Sequence, residues 1–310
     1  MKNKVYLSNI KYVLGELINI ATLRELENNS DTKEFLIQFG LKYYSRFNVS
    51  FEEAVYLCAK NTLETSNLAS SEIDAVIFCS SSYDPYHHDS LISHTAFKCG
   101  INNCIPYGIF YGQCTNYSLA LVVARAMISA GDCKNILVIS GDMLWEKVHS
   151  SRITPFRTSI FSDGVVSLIV SDSPIGDGYE LLDVHNVFLP ETYEIMKSNN
   201  IVQYINNYSK GFLTSCEKLR STVGLQITDY KTIVSGNFNF TVLRNLSALL
   251  ECGVERLYTR NVARFAHCFS ADQIIAIGEM CEEKVLSKGD QVLLVGSGGS
   301  LWSATALAKC

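Results

Sequence analysis

The sequence predicts an α/β protein built from two duplicated halves, in which mixed or parallel β-sheet is covered by helices. Three observations carry this. The segment Gly131-Asp132-Cys133-Lys134-Asn135-Ile136-Leu137-Val138-Ile139-Ser140-Gly141 reads as the end of a helix, a tight turn and a buried strand, and Gly289-Asp290-Gln291-Val292-Leu293-Leu294-Val295-Gly296-Ser297-Gly298 repeats that order. An apolar helix stands upstream of each, Tyr117 to Ile128 and Gln273 to Val285. Short β-branched strands alternate with helices along the chain, the pattern of a sheet whose faces are both covered.

Taken in order, a helix over Phe51 to Thr65 precedes the strand Ile73-Asp74-Ala75-Val76-Ile77-Phe78-Cys79-Ser80, and in the second half a helix over Tyr208 to Val223 precedes Tyr230-Lys231-Thr232-Ile233-Val234-Ser235-Gly236. The turn-forming cluster Ser171-Asp172-Ser173-Pro174-Ile175-Gly176-Asp177-Gly178 divides the halves, giving 1–174 and 175–310. The less regular stretch Val184 to Ile205 is expected to run over the surface, shaping a tunnel or a dimer contact.

Composition narrows the function. With 310 residues, 47% hydrophobic and 18% charged, the chain has ample core for one large or two medium domains. A net charge of -5 without a Lys/Arg block argues against nucleic acid as a partner. The eleven cysteines form an odd set with no C-x-x-C and no zinc-type spacing, which fits reduced thiols in the cytoplasm. The amino terminus runs straight into polar residues, so neither a leader nor a membrane span is expected. No metal site is expected either, since the adjacent His87, His88 and Asp89 do not converge easily on one ion. Gly296-Ser297-Gly298-Gly299 lacks the lysine of a phosphate-binding loop.

One cysteine stands apart. Cys114 closes the turn Ile109-Phe110-Tyr111-Gly112-Gln113 and opens the run Tyr117-Ser118-Leu119-Ala120-Leu121-Val122-Val123-Ala124, which is apolar on nearly every face and so reads as a buried helix. The unpaired N–H groups and dipole at such a helix start favour a thiolate, the local chemistry of a nucleophile. In the duplicate, Phe265-Ala266-His267-Cys268 takes the place of Phe110-Tyr111-Gly112-Gln113-Cys114. Two like halves packed about an approximate two-fold axis bring equivalent elements together, so Cys114 and His267 are expected to face each other.

These residues resemble the thiolase superfamily, and within it the beta-ketoacyl-acyl-carrier-protein synthase III branch. Gln113-Cys114-Thr115-Asn116-Tyr117-Ser118-Leu119-Ala120 stands where that family carries its nucleophile. Ile160-Phe161-Ser162-Asp163-Gly164 is similar to its phenylalanine-glycine-aspartate-glycine segment, and Val295-Gly296-Ser297-Gly298-Gly299-Ser300 to its glycine-rich carboxyl-terminal loop. The resemblance implies a layered α-β-α-β-α thiolase-like fold and a dimer, with a homologue or with itself. It implies acylation of Cys114 from an acyl-carrier-protein or coenzyme A thioester, followed by transfer to a carbon, amine or hydroxyl nucleophile. No cofactor beyond that thioester is implied. His267 is the implied base, the backbone N–H groups of Cys114 and Gly299 the oxyanion donors, and Asn239 and Gly298 substrate contacts.

The chain also departs from the pattern. Where the family has a histidine-glutamine-alanine-asparagine motif with a catalytic histidine, this sequence reads Gly236-Asn237-Phe238-Asn239. The family's amino-terminal tryptophan and arginine pattern is missing around Asp31 to Phe47, which weakens coenzyme A as the direct donor. Loss of one imidazole is expected to hurt malonyl decarboxylation more than self-acylation. An acyltransferase is the first reading, and a catalytically silent partner subunit of an active homologue the alternative.

Overall fold

A computed structural model describes residues 4–81, 90–102, 104–144, 151–198 and 200–310. His87, His88, Asp89 and His149 lie outside the described residues. The chain opens with strands β1 (Tyr6–Leu14) and β2 (Glu16–Asn19), helix α1 (Ser30–Gln38), β3 (Tyr43–Arg46) and α2 (Phe51–Ser66). It continues through β4 (Ala75–Cys79), α3 (Leu91–Cys99), β5 (Ile105–Ile109), α4 (Asn116–Ala130), β6 (Asn135–Asp142) and β7 (Gly164–Ser171). The second half holds β8 (Gly178–Phe188), α5 (Thr192–Lys197), α6 (Ile201–Val223), β9 (Thr232–Val234), α7 (Phe240–Leu249), α8 (Arg260–Phe265), α9 (Asp272–Glu282), β10 (Gln291–Gly298) and β11 (Leu301–Lys309).

Nine strands join in the order β5-β4-β6-β7-β1-β8-β11-β10-β9. The duplication is visible in that order read from its two ends. β4 and β6 pair in parallel and β6 and β7 antiparallel, just as β9 and β10 pair in parallel and β10 and β11 antiparallel. Even β5 has a counterpart, a parallel bridge from Ile233 to Leu257. The two half-sheets meet where β1 pairs with β8 over Tyr6 to Ser8.

Period-two alternation divides the strand side chains among three cores. Ala75, Ile77 and Cys79 of β4 and Val292 and Leu294 of β10 face one central core, which is filled by α4 and α9. Val76 and Phe78 face outward to α2, while Leu293 and Val295 face outward to α6 and α7. The result is the expected sequence of layers, helix, sheet, helix pair, sheet, helix. α9 is buried along its length from Asp272 to Met280, as a helix sandwiched between two sheets must be. The turns that feed β6 and β10 both use glycine at positive φ, Gly131 at 83° and Gly289 at 88°, the left-handed geometry that a side chain disfavours.

One expectation is corrected. Val184 to Phe188 is not a surface excursion but the end of β8, paired with β11 through Trp302 and Thr305. Its polar residues are held by neighbouring helices: Ser118 Oγ donates to Asn186 Oδ1 at 2.6 Å, and His185 Nε2 lies 3.0 Å from Thr222 Oγ1. Among the described residues, no helix is long and apolar enough to cross a membrane.

Candidate active site

Cys114 lies in a short 3-10 turn, Gln113–Thr115, that leads directly into α4. The turn is stapled from behind: Gly112 N donates to Asn116 Oδ1 at 2.7 Å, and Asn116 Nδ2 donates to Ser80 O at 2.9 Å. Its hydrogen bonding starts only at Thr115 N, which donates to Gly112 O at 2.9 Å, so the N–H of Cys114 belongs to the first-turn groups that helices leave unpaired. The thiol is half-buried, and thus reachable, whereas Cys58, Cys79 and Cys268 are buried. Burial pushes the Cys58 thiol up to about 12 and that of Cys268 well above the usual range.

His267 reaches Cys114 from the duplicate half, with Nε2 3.3 Å from Sγ. Its backbone is pinned on both sides, His267 N donating to Ile160 O at 3.0 Å and Ser162 N to His267 O at 2.8 Å. The ring packs among three phenylalanines, with centroid distances of 4.9 Å to Phe238, 5.9 Å to Phe161 and 5.8 Å to Phe269. Ala266, just before it, has φ 56° and ψ −144°, a backbone region that only glycine visits freely.

The sequence reading missed Asp272. This residue opens α9, is fully buried, and places Oδ2 2.5 Å from His267 Nδ1. Three further donors hold it: Cys268 N at 2.7 Å, Asn237 N at 2.7 Å and Asn237 Nδ2 at 2.9 Å. Asp272, His267 and Cys114 therefore form one continuous line. Burial is the largest single influence on the imidazole and pushes its pKa down. The charges of Asp272 and Cys114, with their hydrogen bonds, outweigh it and raise His267 to about 10. A raised imidazole pKa favours moving the thiol proton onto Nε2.

The family described as 3-oxoacyl-[acyl-carrier-protein (ACP)] synthase III matches residues 111–186, and the family described as its C-terminal part matches residues 221–310, together more than half of the chain. The chain belongs to the synthase III branch of the thiolase superfamily. Members of this family are acyl-transferring enzymes. A beta-ketoacyl-[acyl-carrier-protein] synthase III from Clostridium novyi is 26% identical over 309 residues, covering 91% of this chain and 92% of that protein. Among solved structures, the acyltransferase ChlB3 superposes with a TM-score of 0.85 at 16% identity, covering 98% of this chain and 97% of that one. The 3-oxoacyl-[acyl-carrier-protein] synthase III of Aquifex aeolicus gives 0.81 at 18% identity, covering 98% and 99%. These two likenesses show the fold, which is thiolase-like.

In this synthase III-like chain the glycine-rich loop abuts the nucleophile. A Cβ on Gly298 would stand 2.3 Å from Gly112 O and 2.8 Å from Cys114 N. A Cβ on Gly299, at φ 56°, would instead meet Gln113 Oε1 at 2.8 Å. Gly298 is therefore the glycine pressed against the backbone of Gly112 and Cys114. Asn239 is likewise engaged with its own chain. Its Oδ1 caps α7 by accepting from Thr241 N and Val242 N, and its Nδ2 donates to Arg157 O at 2.8 Å.

At Gly236, where the resemblance expects a histidine, a Cβ would lie 3.4 Å from His267 Cε1 but only 2.8 Å from the Phe238 ring. Asn237, expected to be exposed or to stabilise a loop, is buried, and its side chain points to Ala266 O and Asp272. A phenyl ring thus fills the space beside His267 that a second imidazole requires.

A cavity of about 360 Å³ opens next to this centre, walled by Phe156, Tyr204, Tyr208, Phe238, Val242 and Ser297 among others. Phe238 is common to the cavity and the His267 box, and Ser297 immediately precedes Gly298. Burial, and then the charge of Cys114, push the Tyr204 phenol up. Among the described residues, none that lines the cavity carries a charged side chain. Among the described residues, no group of three or more His, Cys, Asp or Glu could hold a metal ion.

Proposed function

We propose that this chain is an acyltransferase that is acylated on Cys114 from a carrier-protein-borne thioester and passes the acyl group to a hydroxyl or amine. The observation that carries this reading is the unbroken line Asp272, His267, Cys114 ending in a half-buried thiol beside an uncharged cavity. A catalytically silent partner subunit, the alternative, needs none of these contacts.

In the first half-reaction Cys114 and His267 act as a thiolate–imidazolium pair, with the proton on Nε2, and the sulfur attacks the thioester carbonyl. Asp272 holds Nδ1–H in place and stabilises the imidazolium. The backbone N–H of Cys114, with an amide of the adjoining Gly298-Gly299 turn, receives the charge that develops on the carbonyl oxygen. The carbon–sulfur bond to the donor breaks, and the departing thiolate takes the proton from His267. In the second half-reaction the acceptor gives its proton to Nε2 and bonds to the acyl carbon as the bond to Sγ breaks.

Two features favour a heteroatom acceptor over a malonyl carbon. The enolate formed on decarboxylation is normally held by two donors, and the Phe238 ring packed against Gly236 leaves little room there for a second imidazole. Among the described residues that line the cavity, none is a cation for a malonyl carboxylate, whose transfer from water is costly without one. An uncharged cavity suits the neutral part of a pantetheine arm, with phosphate outside it.

The edge strand β5 supports dimerisation with a second copy. Ile105 is 61% exposed and Tyr107 39%, beside Phe97 at 85% and Tyr111 at 99%. Light scattering should give a dimer mass that Ile105→Lys with Tyr107→Glu halves.

The main test is intact-protein mass spectrometry after incubation with acyl-carrier-protein and acyl-coenzyme A thioesters. One acyl group should add per chain, be lost in Cys114→Ala and persist in Cys268→Ala. Absence of an adduct from every donor would overturn the reading in favour of a silent subunit.

A further inference from the structure

Tyr208 lies on α6 in the cavity wall, with its ring edge-on to Phe212 at 4.7 Å. Its hydroxyl is buried and, among the described residues, meets no partner at hydrogen-bond distance. Ser297 lines the same cavity and stands close enough to lower the phenol's pKa against the larger effect of burial, which raises it. A buried hydroxyl without a partner is a liability in the empty fold, and a phenylalanine would pack there without it. The hydroxyl becomes an asset only when an occupant of the cavity supplies the missing partner. The wall also carries the Tyr204 phenol, Thr158, Ser209, Asn245 and Ser297, and of the described lining residues Tyr208 is the one whose buried side-chain oxygen lacks a hydrogen-bond partner.

We propose that Tyr208 is a specificity-determining residue that selects a thioester carrying a hydrogen-bonding oxygen at the depth of Ser297. This rests on the acyltransfer reading. The oxygen belongs either to an amide of the donor's thiol arm or to a hydroxyl or keto group on the acyl chain, and the same interaction serves both. A site built to pair a polar group discriminates strongly against the analogue that lacks it, because its own group is then left unpaired.

The test compares wild type with Tyr208→Phe, which removes one oxygen and leaves the ring. Cys114 acylation is timed with four donors: octanoyl and 3-hydroxyoctanoyl thioesters, each of pantetheine, which carries two amides, and of a plain alkyl thiol, which carries none. The expected result is a fall in kcat/KM on the order of 10- to 100-fold for the donors that bear the recognised oxygen and an unchanged rate for the others. A loss that follows pantetheine assigns the oxygen to the arm, and one that follows the 3-hydroxyl assigns it to the acyl chain. The unfolding temperature of the variant should be equal to or above that of wild type, which a merely structural tyrosine would not give. Equal wild-type and variant rates with all four donors would overturn the proposal. If wild type is not acylated by any donor, acyltransfer fails by itself. Tyr208 is then judged by the affinity of the corresponding unreactive thioethers, where a wild-type to variant Kd ratio of one for every compound overturns it.

Discussion

Asn237 binds Asp272 twice, its backbone N–H to Oδ2 at 2.7 Å and its side-chain amide to Oδ1 at 2.9 Å. With Cys268 N on Oδ1, the carboxylate has no freedom to turn, and its remaining direction is toward His267 Nδ1. Asp272→Asn keeps the shape and removes the charge. The new amide must present a donor either to Nδ1 or to these N–H groups, so the imidazole loses the partner that fixes its tautomer. Single-turnover acylation of Cys114 should slow by up to about 10⁴-fold, the loss seen when the acid of a serine triad is neutralised. A loss of less than tenfold would remove Asp272 from the proton path.

His267 also makes stability depend on pH. Its pKa in the fold is about 10, above the ordinary histidine value near 6.5, so the folded state binds its proton more tightly than the unfolded chain does. The resulting stabilisation is complete below about pH 6.5 and disappears as pH rises through about 10. Since the ring is buried, the effect should reach about a few kcal/mol. Urea unfolding of wild type and His267→Gln across this window should show the wild-type advantage shrinking with rising pH. A constant difference would mean that the imidazole is not protonated in the fold.

Ala266 pays for the placement of His267 with strain. At φ 56° and ψ −144° it occupies a region that costs a non-glycine residue about 1–3 kcal/mol. Ala266→Gly removes that cost and adds about 0.5–1 kcal/mol of unfolded-state entropy. The net expectation is about 1 kcal/mol of added stability, or roughly 2 °C by calorimetry. Acylation should be retained, because the Ala266 carbonyl still accepts from Asn237 Nδ2 at 2.8 Å. A lower unfolding temperature would show that the conformation is unstrained.

Much of this arrangement is legible in sequence because it rests on local signals. Glycine turns before Asn135 and Gln291, apolar runs after Cys114 and His267, and their repetition suffice to place the two residues opposite each other. Asp272 escapes for a definite reason: with the second helix begun at Gln273, it reads as a flanking loop residue. The signal that finds it is a carboxylate inside a run from Phe265 to Met280 that is otherwise almost wholly buried. The roles of Gly298 and Gly299 differ by one position, and only the β10–β11 hairpin register decides between them. The strand character of Val184 to Phe188 is hidden because His185 and Asn186 find polar partners on helices distant in sequence. The cavity likewise joins residues from Phe156 to Ser297, which no local pattern connects.

A histidine introduced at Gly236 needs a second substitution to make room for it. Gly236→His puts a Cβ 2.8 Å from the Phe238 ring, so the new imidazole and the phenyl compete for one space. Overpacking of this kind costs about 1–3 kcal/mol and forces off-rotamer side chains. It also disturbs the ring that packs on His267 at 4.9 Å. Gly236→His alone should therefore unfold at lower temperature, acylate more slowly and release no carbon dioxide from malonyl thioester. Gly236→His with Phe238→Ala clears the space, and malonyl decarboxylation should then rise above that of wild type. Carbon dioxide release by the single variant at the level of the double would show that Phe238 is no barrier, and that the acceptor preference has another origin.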